Sequence, residues 1–186
     1  MKQVFQLLVP GILIILLGSC QADKKAIEVI IDGNGQFPER LAGTWKSDNG
    51  VWEINLEPDG TISSAVISLG SVRIKPGEIT TIPMRLGGQG IFKPGLWTLW
   101  YLQRQRELSV EITIDEFRTE LGQDVIRGKT RDILTGPVSQ DGSIWQAERF
   151  SYPEYIVDTK MYKNYNLPVD ANDNPKESLL FKKVSE

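Results

Sequence analysis

From Leu108 to Asp115 apolar and polar residues alternate without a break, with Leu108, Val110, Ile112 and Ile114 on one side and Ser109, Glu111, Thr113 and Asp115 on the other. A period of two is that of an extended chain with one face in a core and one in water, and no helix keeps such a row on one side. The period returns at Trp52, Ile54 and Leu56, opposed by Glu53 and Asn55. Glu57-Pro58-Asp59-Gly60 follows as a turn, since Pro presets φ and Gly accepts the left-handed position, with residues 61–69 as the returning strand. Residues 72–74 and 79–82 flank a second turn at Pro76-Gly77. Residues 96–102, 125–134 and 143–150 read as further strands, the last two joined through Gly136-Pro137 and Asp141-Gly142, and 178–184 as a closing strand. The alternation loses phase at Phe117, which predicts a bulge or bend. Ser151 and Glu154 have capping-box spacing, so a short helix competes there with a strand and loop, which we prefer. Eight to ten short strands without a long helical period predict an all-β antiparallel barrel or sandwich.

The chain has 186 residues, enough for one domain, with no histidine and one cysteine. Serine or cysteine catalysis through an imidazole, a histidine-ligated metal and a histidine pH switch are thereby excluded, as are intrachain disulfides and thiolate clusters. A net charge of −3 argues against a nucleic-acid partner, whose phosphates need concentrated positive charge.

The N-terminus is of another kind. Lys2 is the one charge before Ser19, and the apolar run 7–17 is too short for the roughly 20 residues of a spanning helix. A positive start, a short apolar centre and a small-residue exit describe a secretory signal peptide, here residues 1–19. The exit, Leu17-Gly18-Ser19-Cys20, resembles the lipobox of bacterial lipoproteins and accounts for the one cysteine. The resemblance implies cleavage before Cys20, a diacylglyceryl thioether on its sulfur and acylation of its amino group. Two or more acyl chains hold a protein to a membrane where one is reversible. In lipoproteins of this kind Asp after the cysteine retains the protein in the inner membrane. Gln21 stands there instead, so the resemblance implies the outer membrane, facing the periplasm.

Residues 20–40 are polar and contain Asp32-Gly33-Asn34-Gly35, interrupted by Ile27 to Ile31. They read as the lipidated N-terminus and a tether with one short strand, reaching about 25 Å as a flexible chain and holding the domain clear of the headgroups. Asp32, Asn34 and Gln36 alternate like calcium ligands but lack the glycine and acid of the EF-hand offsets, so a flexible turn is the better reading.

Residues 41–186 form the β domain. Its opening, Leu41-Ala42-Gly43-Thr44-Trp45 followed by Leu56 to Ile62, resembles that of lipocalin-like domains, in which a Gly-x-Trp lies on the first strand and the indole plugs the closed end. The resemblance implies an up-and-down barrel with Trp45 at its base. The Thr-Asp-Tyr turn of lipocalins is absent, and no arginine is assignable as the partner of Trp45.

Catalytic candidates are few. Glu111 and Asp115 share a strand face but stand about 13 Å apart, beyond the roughly 5–9.5 Å of glycosidase pairs. Gly87 to Gly90 lacks the Lys-Ser/Thr of a phosphate loop and reads as a rim loop. No enzyme, metal or cofactor is expected. Arg127, Lys129 and Arg131 repeat on one strand face at about 6.6 Å, a cationic stripe for lipid phosphates or an acidic glycan, or else a solvated outer face. Trp97 and Trp100, beside the glycine-rich loop, are candidates for the mouth of a pocket for a small hydrophobic ligand. The opposing expectation is a barrel filled by its own side chains, serving as a structural or interaction module for an envelope protein or glycan.

Overall fold

The computed structural model describes residues 25–33, 35–67, 71–84, 87–122, 124–158, 165–166 and 176–184. Cys20, the signal peptide and residues 21–24 lie outside them. The described chain is all-β, with thirteen strands in one sheet and a single 3-10 turn at Glu39–Leu41. The strands are β1 Ile27–Ile31, β2 Gly43–Ser47, β3 Glu53–Leu56, β4 Ile62–Ile67, β5 Val72–Ile74, β6 Thr80–Pro83 and β7 Gln89–Pro94. β8 Trp97–Leu102, β9 Glu107–Leu121, β10 Asp124–Pro137, β11 Ile144–Asp158, β12 Tyr165–Asn166 and β13 Glu177–Lys183 complete them.

Hydrogen bonding runs in the order β1-β8-β9-β10-β11-β13-β2-β3-β4-β5, with β7 and β6 added beyond β9 and β12 beside β11. Two features depart from the expected antiparallel barrel of eight to ten strands. β1 runs parallel to β8, pairing Ile27 with Trp97 and Ile31 with Tyr101, so the sheet is mixed. β1 pairs with β8 and β5 with β4, but not with each other, so the sheet is open. Short elements explain why: β5 has three residues and cannot carry a ladder across to β1. The chain turns at 76–77 as expected, with Glu78 N–H donating to Lys75 O, but the following strand pairs with β7 rather than returning on β5.

The tether is shorter than its polarity suggests. Ile27–Ile31 is an edge strand of the sheet, Val29 and Ile31 pack against the core, and Phe37 is buried. Residues 27–31 and 37–41 therefore belong to the folded body, the strand expected within residues 20–40 among them. Asp32 and Gly33 form a local turn, the Asp32 carboxylate accepting the Gly33 N–H.

The long antiparallel run is the best-formed part. Leu108, Val110, Ile112 and Ile114 are all buried, each packing inward on β9. The phase break is a bulge in which Asp115 and Glu116 together face Lys129, which restores Phe117 to the buried side. Nearby, Gly128 has no substitute: a Cβ there would lie 2.0 Å from the Glu154 carbonyl oxygen. β11 extends unbroken through Ser151 and Glu154 to Asp158, so the strand prevails over the capping-box helix. β13 pairs with both β11 and β2, setting the last strand beside the second.

Candidate functional site

The concave face of the sheet is packed with large side chains. Trp45, Trp52, Trp97, Trp145, Tyr101, Phe92, Phe117 and Phe181 are all fully buried there. Three of the indoles also have their polar edges satisfied by backbone. Trp45 Nε1–H donates to Leu41 O at 2.9 Å, Trp97 Nε1–H to Thr113 O at 3.0 Å and Trp145 Nε1–H to Gly136 O at 3.2 Å. Trp145 meets Trp45 edge-on at 6.3 Å and tilts over Phe181 at 4.8 Å. Such contacts are close-packed interior, where each group has its partner.

This arrangement corrects the expected mouth at Trp97 and Trp100. Trp97 is a member of the core rather than a rim. Trp100 is half-buried on the opposite face, in register with Ile30 and Ser109. The glycine-rich loop caps the β6–β7 hairpin, where Gln89 N–H donates to the Glu120 carboxylate at 3.1 Å. From Gly90 to Pro94, where the chain leaves for β8, is about 13 Å of strand, so loop and tryptophans do not form one opening.

Arg127, Lys129 and Arg131 do share the outer face of β10, but each has a carboxylate partner. Arg127 lies 3.4 Å from Asp158, Lys129 3.1 Å from Glu154, and Arg131 forms a two-pronged bond to Glu111 at 2.7 and 2.9 Å. The Glu111 hydrogen bond, against a smaller opposing effect of burial, raises the Arg131 pKa above the ordinary value. The stripe is thus charge-balanced along its length, as the alternative of a solvated outer face expects.

Asp132, one residue further along, points the other way. Alternation carries Thr130, Asp132 and Leu134 inward together. There Arg149 donates from Nε and Nη2 to Asp132 Oδ1 at 2.9 and 2.7 Å, from Nη1 to Glu177 at 3.0 Å and from Nη2 to Ser151 Oγ at 3.1 Å. Burial works against the guanidinium charge, but Asp132 and Glu177 outweigh it and raise the Arg149 pKa. The guanidinium carbon lies 5.1 Å from the Trp52 ring centre, and Trp52 Nε1 is buried without a hydrogen-bond partner. Nearby Tyr155 has its phenol pKa raised by burial and then by the Asp132 charge, against a smaller lowering by Arg149. Of the residues in phase with it on β10 only Ile126 and Leu134 are apolar, so the sequence carried little signal that Asp132 lies inside.

At the other end of the strands the 3-10 turn leads into Gly43-Thr44-Trp45. Lys183 faces Trp45 across the β13–β2 ladder and donates from Nζ to Arg40 O at 2.9 Å. Around this end runs a cleft of about 850 Å³, with Arg40, Lys183, Glu57 and Asp141 among its walls. A second groove, about 640 Å³, lies across β9, β10, β11 and β13. Its lining includes Glu107, Thr135, Gln146, Glu148, Ser178 and Leu180. The register places Trp100, Ser109, Thr135, Glu148 and Ser178 in one row across the convex face. Along it the Thr135 hydroxyl hydrogen bonds with Ser109 at 2.5 Å and donates to Glu107 at 3.2 Å. Hydroxyls, amide and carboxylates on an accessible face suit hydrogen bonding to a partner. Among the described residues no group of three His, Cys, Asp or Glu side chains is placed to hold a metal.

The molecule is thus a mixed, open β-sheet with an aromatic core and grooved outer faces. Compared with protein-family models, with curated proteins and with solved structures, the chain matches none closely enough to show a relationship.

Proposed function

We propose that the protein is a lipid-anchored lipoprotein of the bacterial cell envelope, held at Cys20 to the outer membrane on its periplasmic side. Its β body works as a non-catalytic interaction module rather than as a carrier. The observation that carries the second half of this reading is the concave face: eight aromatic side chains are almost wholly buried there, and three indole N–H groups are bonded to backbone carbonyls. A carrier needs its aromatic walls reachable, and these are occupied with one another. The partner, an envelope protein or glycan, meets the convex row from Trp100 to Ser178.

The lipocalin-like resemblance enters this reading as an opened variant of that architecture. Support comes from the 3-10 turn entering Gly43-Thr44-Trp45, the buried indole, and Lys183 set opposite it from the last long strand.

Two measurements test the proposal. The full chain and Cys20→Ser are expressed in a diderm host, with membrane fractionation and the mass of the N-terminal peptide as readouts. A diacylglyceryl mass increment and loss of membrane association in the variant are expected; an unmodified cysteine overturns the anchor. Native mass spectrometry and titration of palmitate against tryptophan fluorescence test the module. No retained lipid and a flat titration are expected, whereas a saturable response abolished by Trp97→Phe restores the small-ligand carrier.

A further inference from the structure

Where the sheet fails to close, residues 75–79 cross from β5 towards β6 and lie against the start of β1. A Cβ on Gly77 would come within 3.1 Å of the Ala26 Cβ. On the other side, the turn between β7 and β8 is held by Gly95 N–H donating to Thr113 O and Trp97 N–H donating to Ala26 O, both at 2.9 Å. Between them lies a cleft of about 230 Å³ whose walls include Ala26, Gly77, Ile79, Pro94 and Leu96, with Lys25 and Lys93 at its edge and Asp115 beside them. Ile79 is 65% exposed and Leu96 40% exposed, and the two line the same cleft. Of the other exposed apolar residues, Ile30 and Leu102 flank Trp100 on the convex face, Tyr152 lies beside Arg131, Ile144 begins β11 and Val184 lines the cleft beside Lys183.

The apolar cleft also holds the first described residues of the chain. Lys25 and Ala26 line it, and five residue steps separate Lys25 from Cys20. At most about 3.6 Å per step, these steps span no more than about 18 Å. A bilayer of roughly 40–45 Å with a hydrocarbon core of about 30 Å leaves about 5–8 Å of headgroup layer on each side. Incorporation of Ile27–Ile31 into the sheet removes the long tether that would have held the domain away.

We propose that this cleft and its rim, Ile79 and Leu96 above all, form the membrane-facing surface of the domain. They seat on the phospholipid headgroup layer beside the anchor, so that the body has one orientation to the bilayer. The lysines suit such a surface, since their stems lie along apolar groups while their charges reach headgroup phosphates. The inference rests on the reading of Cys20 as a lipidated residue.

Because the Cys20 thiol would be consumed by its lipid, one engineered cysteine is a unique label site. Full-length, lipidated Ile79→Cys and Gln140→Cys are labelled with an environment-sensitive thiol probe. They are then reconstituted into vesicles of phosphatidylethanolamine and phosphatidylglycerol, with and without brominated acyl chains. Gln140 is exposed in the turn after β10, at the opposite end of the strands from Leu96. The expected result is a blue shift and at least twofold quenching by brominated lipid at position 79, with neither at position 140. Equal responses at the two positions, with the Cys20 lipid confirmed by mass, overturn the docking face and leave the anchor standing. An unmodified Cys20 overturns the anchor, and the docking face with it.

Discussion

Arg149 and Asp132 meet inside the concave face, the guanidinium reaching one carboxylate oxygen from both Nε and Nη2 at 2.9 and 2.7 Å. They come from adjacent strands, β11 and β10, and neither is an i, i+2 neighbour that local sequence would pair. With Glu177 from β13 they tie together three consecutive strands of the sheet at the edge of its aromatic core.

Removing one member should be far worse than removing two. Asp132→Ala leaves the Arg149 charge poorly compensated and should cost about 3–5 kcal/mol, whereas Asp132→Ala with Arg149→Met should recover a substantial part of it. Glu177 is accessible enough to be hydrated once Arg149 is gone, which is why the double variant is tolerable. Urea unfolding of the three proteins supplies the comparison; a double variant no more stable than the single would contradict it.

Trp45 should be among the costliest positions to truncate. Trp45→Ala should lose about 3–5 kcal/mol through the cavity it leaves against Trp145. Trp45→Phe keeps much of the contact but leaves Leu41 O without its donor, and a loss of about 1–3 kcal/mol is expected. Equilibrium denaturation monitored by circular dichroism checks both, since the signal does not depend on the indole removed.

Asp141 makes the turn before β11 sensitive to acid. Hydrogen bonds from Ser139 and then from the Ser143 hydroxyl and N–H pull its pKa down to about 2. A depressed carboxylate stabilises the fold above its unfolded value of about 3.9, and that contribution is lost as the pH falls through about 2. Asp141→Asn should therefore lower the urea midpoint at pH 7 and differ little from the wild type near pH 2. A difference that persisted unchanged at low pH would show that the carboxylate charge is not responsible.

The outer stripe should be nearly silent. Lys129→Gln should change stability by less than about 1 kcal/mol because both partners are well exposed; Arg131→Gln should cost more, since its two-pronged bond to Glu111 is the best-formed of the three. Binding of the Arg127→Gln, Lys129→Gln, Arg131→Gln protein to anionic vesicles should match that of the wild type. A marked, salt-dependent loss would return the stripe to a binding role.

Local pattern was a sound guide wherever one rule applied to one segment. The alternation through Leu108 to Ile114, the turn at Asp59-Gly60 and the bulge before Phe117 each depend on residues within a few positions, and each stands in the structure. Gly60 takes its positive φ of 85° and Asp59 accepts the Thr61 N–H, as turn chemistry requires. The candidate site was less legible. A carboxylate at 132 has the same sequence neighbours whether it faces Arg131 outside or Arg149 inside, and only the phase of β10 against the core separates the two.

Sequence alone determined the class of structure, an all-β body with its core on alternate residues, because strand period and turn chemistry are properties of the local chain. It also determined the chemistry that a chain without histidine and with one cysteine does not have. Tertiary structure decided what partners each strand has: that β1 adds in parallel to β8, that β5 stops before the sheet closes, and that β13 lies between β11 and β2. It decided too that Trp97 is core, that the cationic stripe is paired, and that Lys25 and Ala26 share a cleft with Ile79 and Leu96. Those facts depend on contacts between residues tens of positions apart, whose free energy comes from packing and charge pairing that no local period encodes.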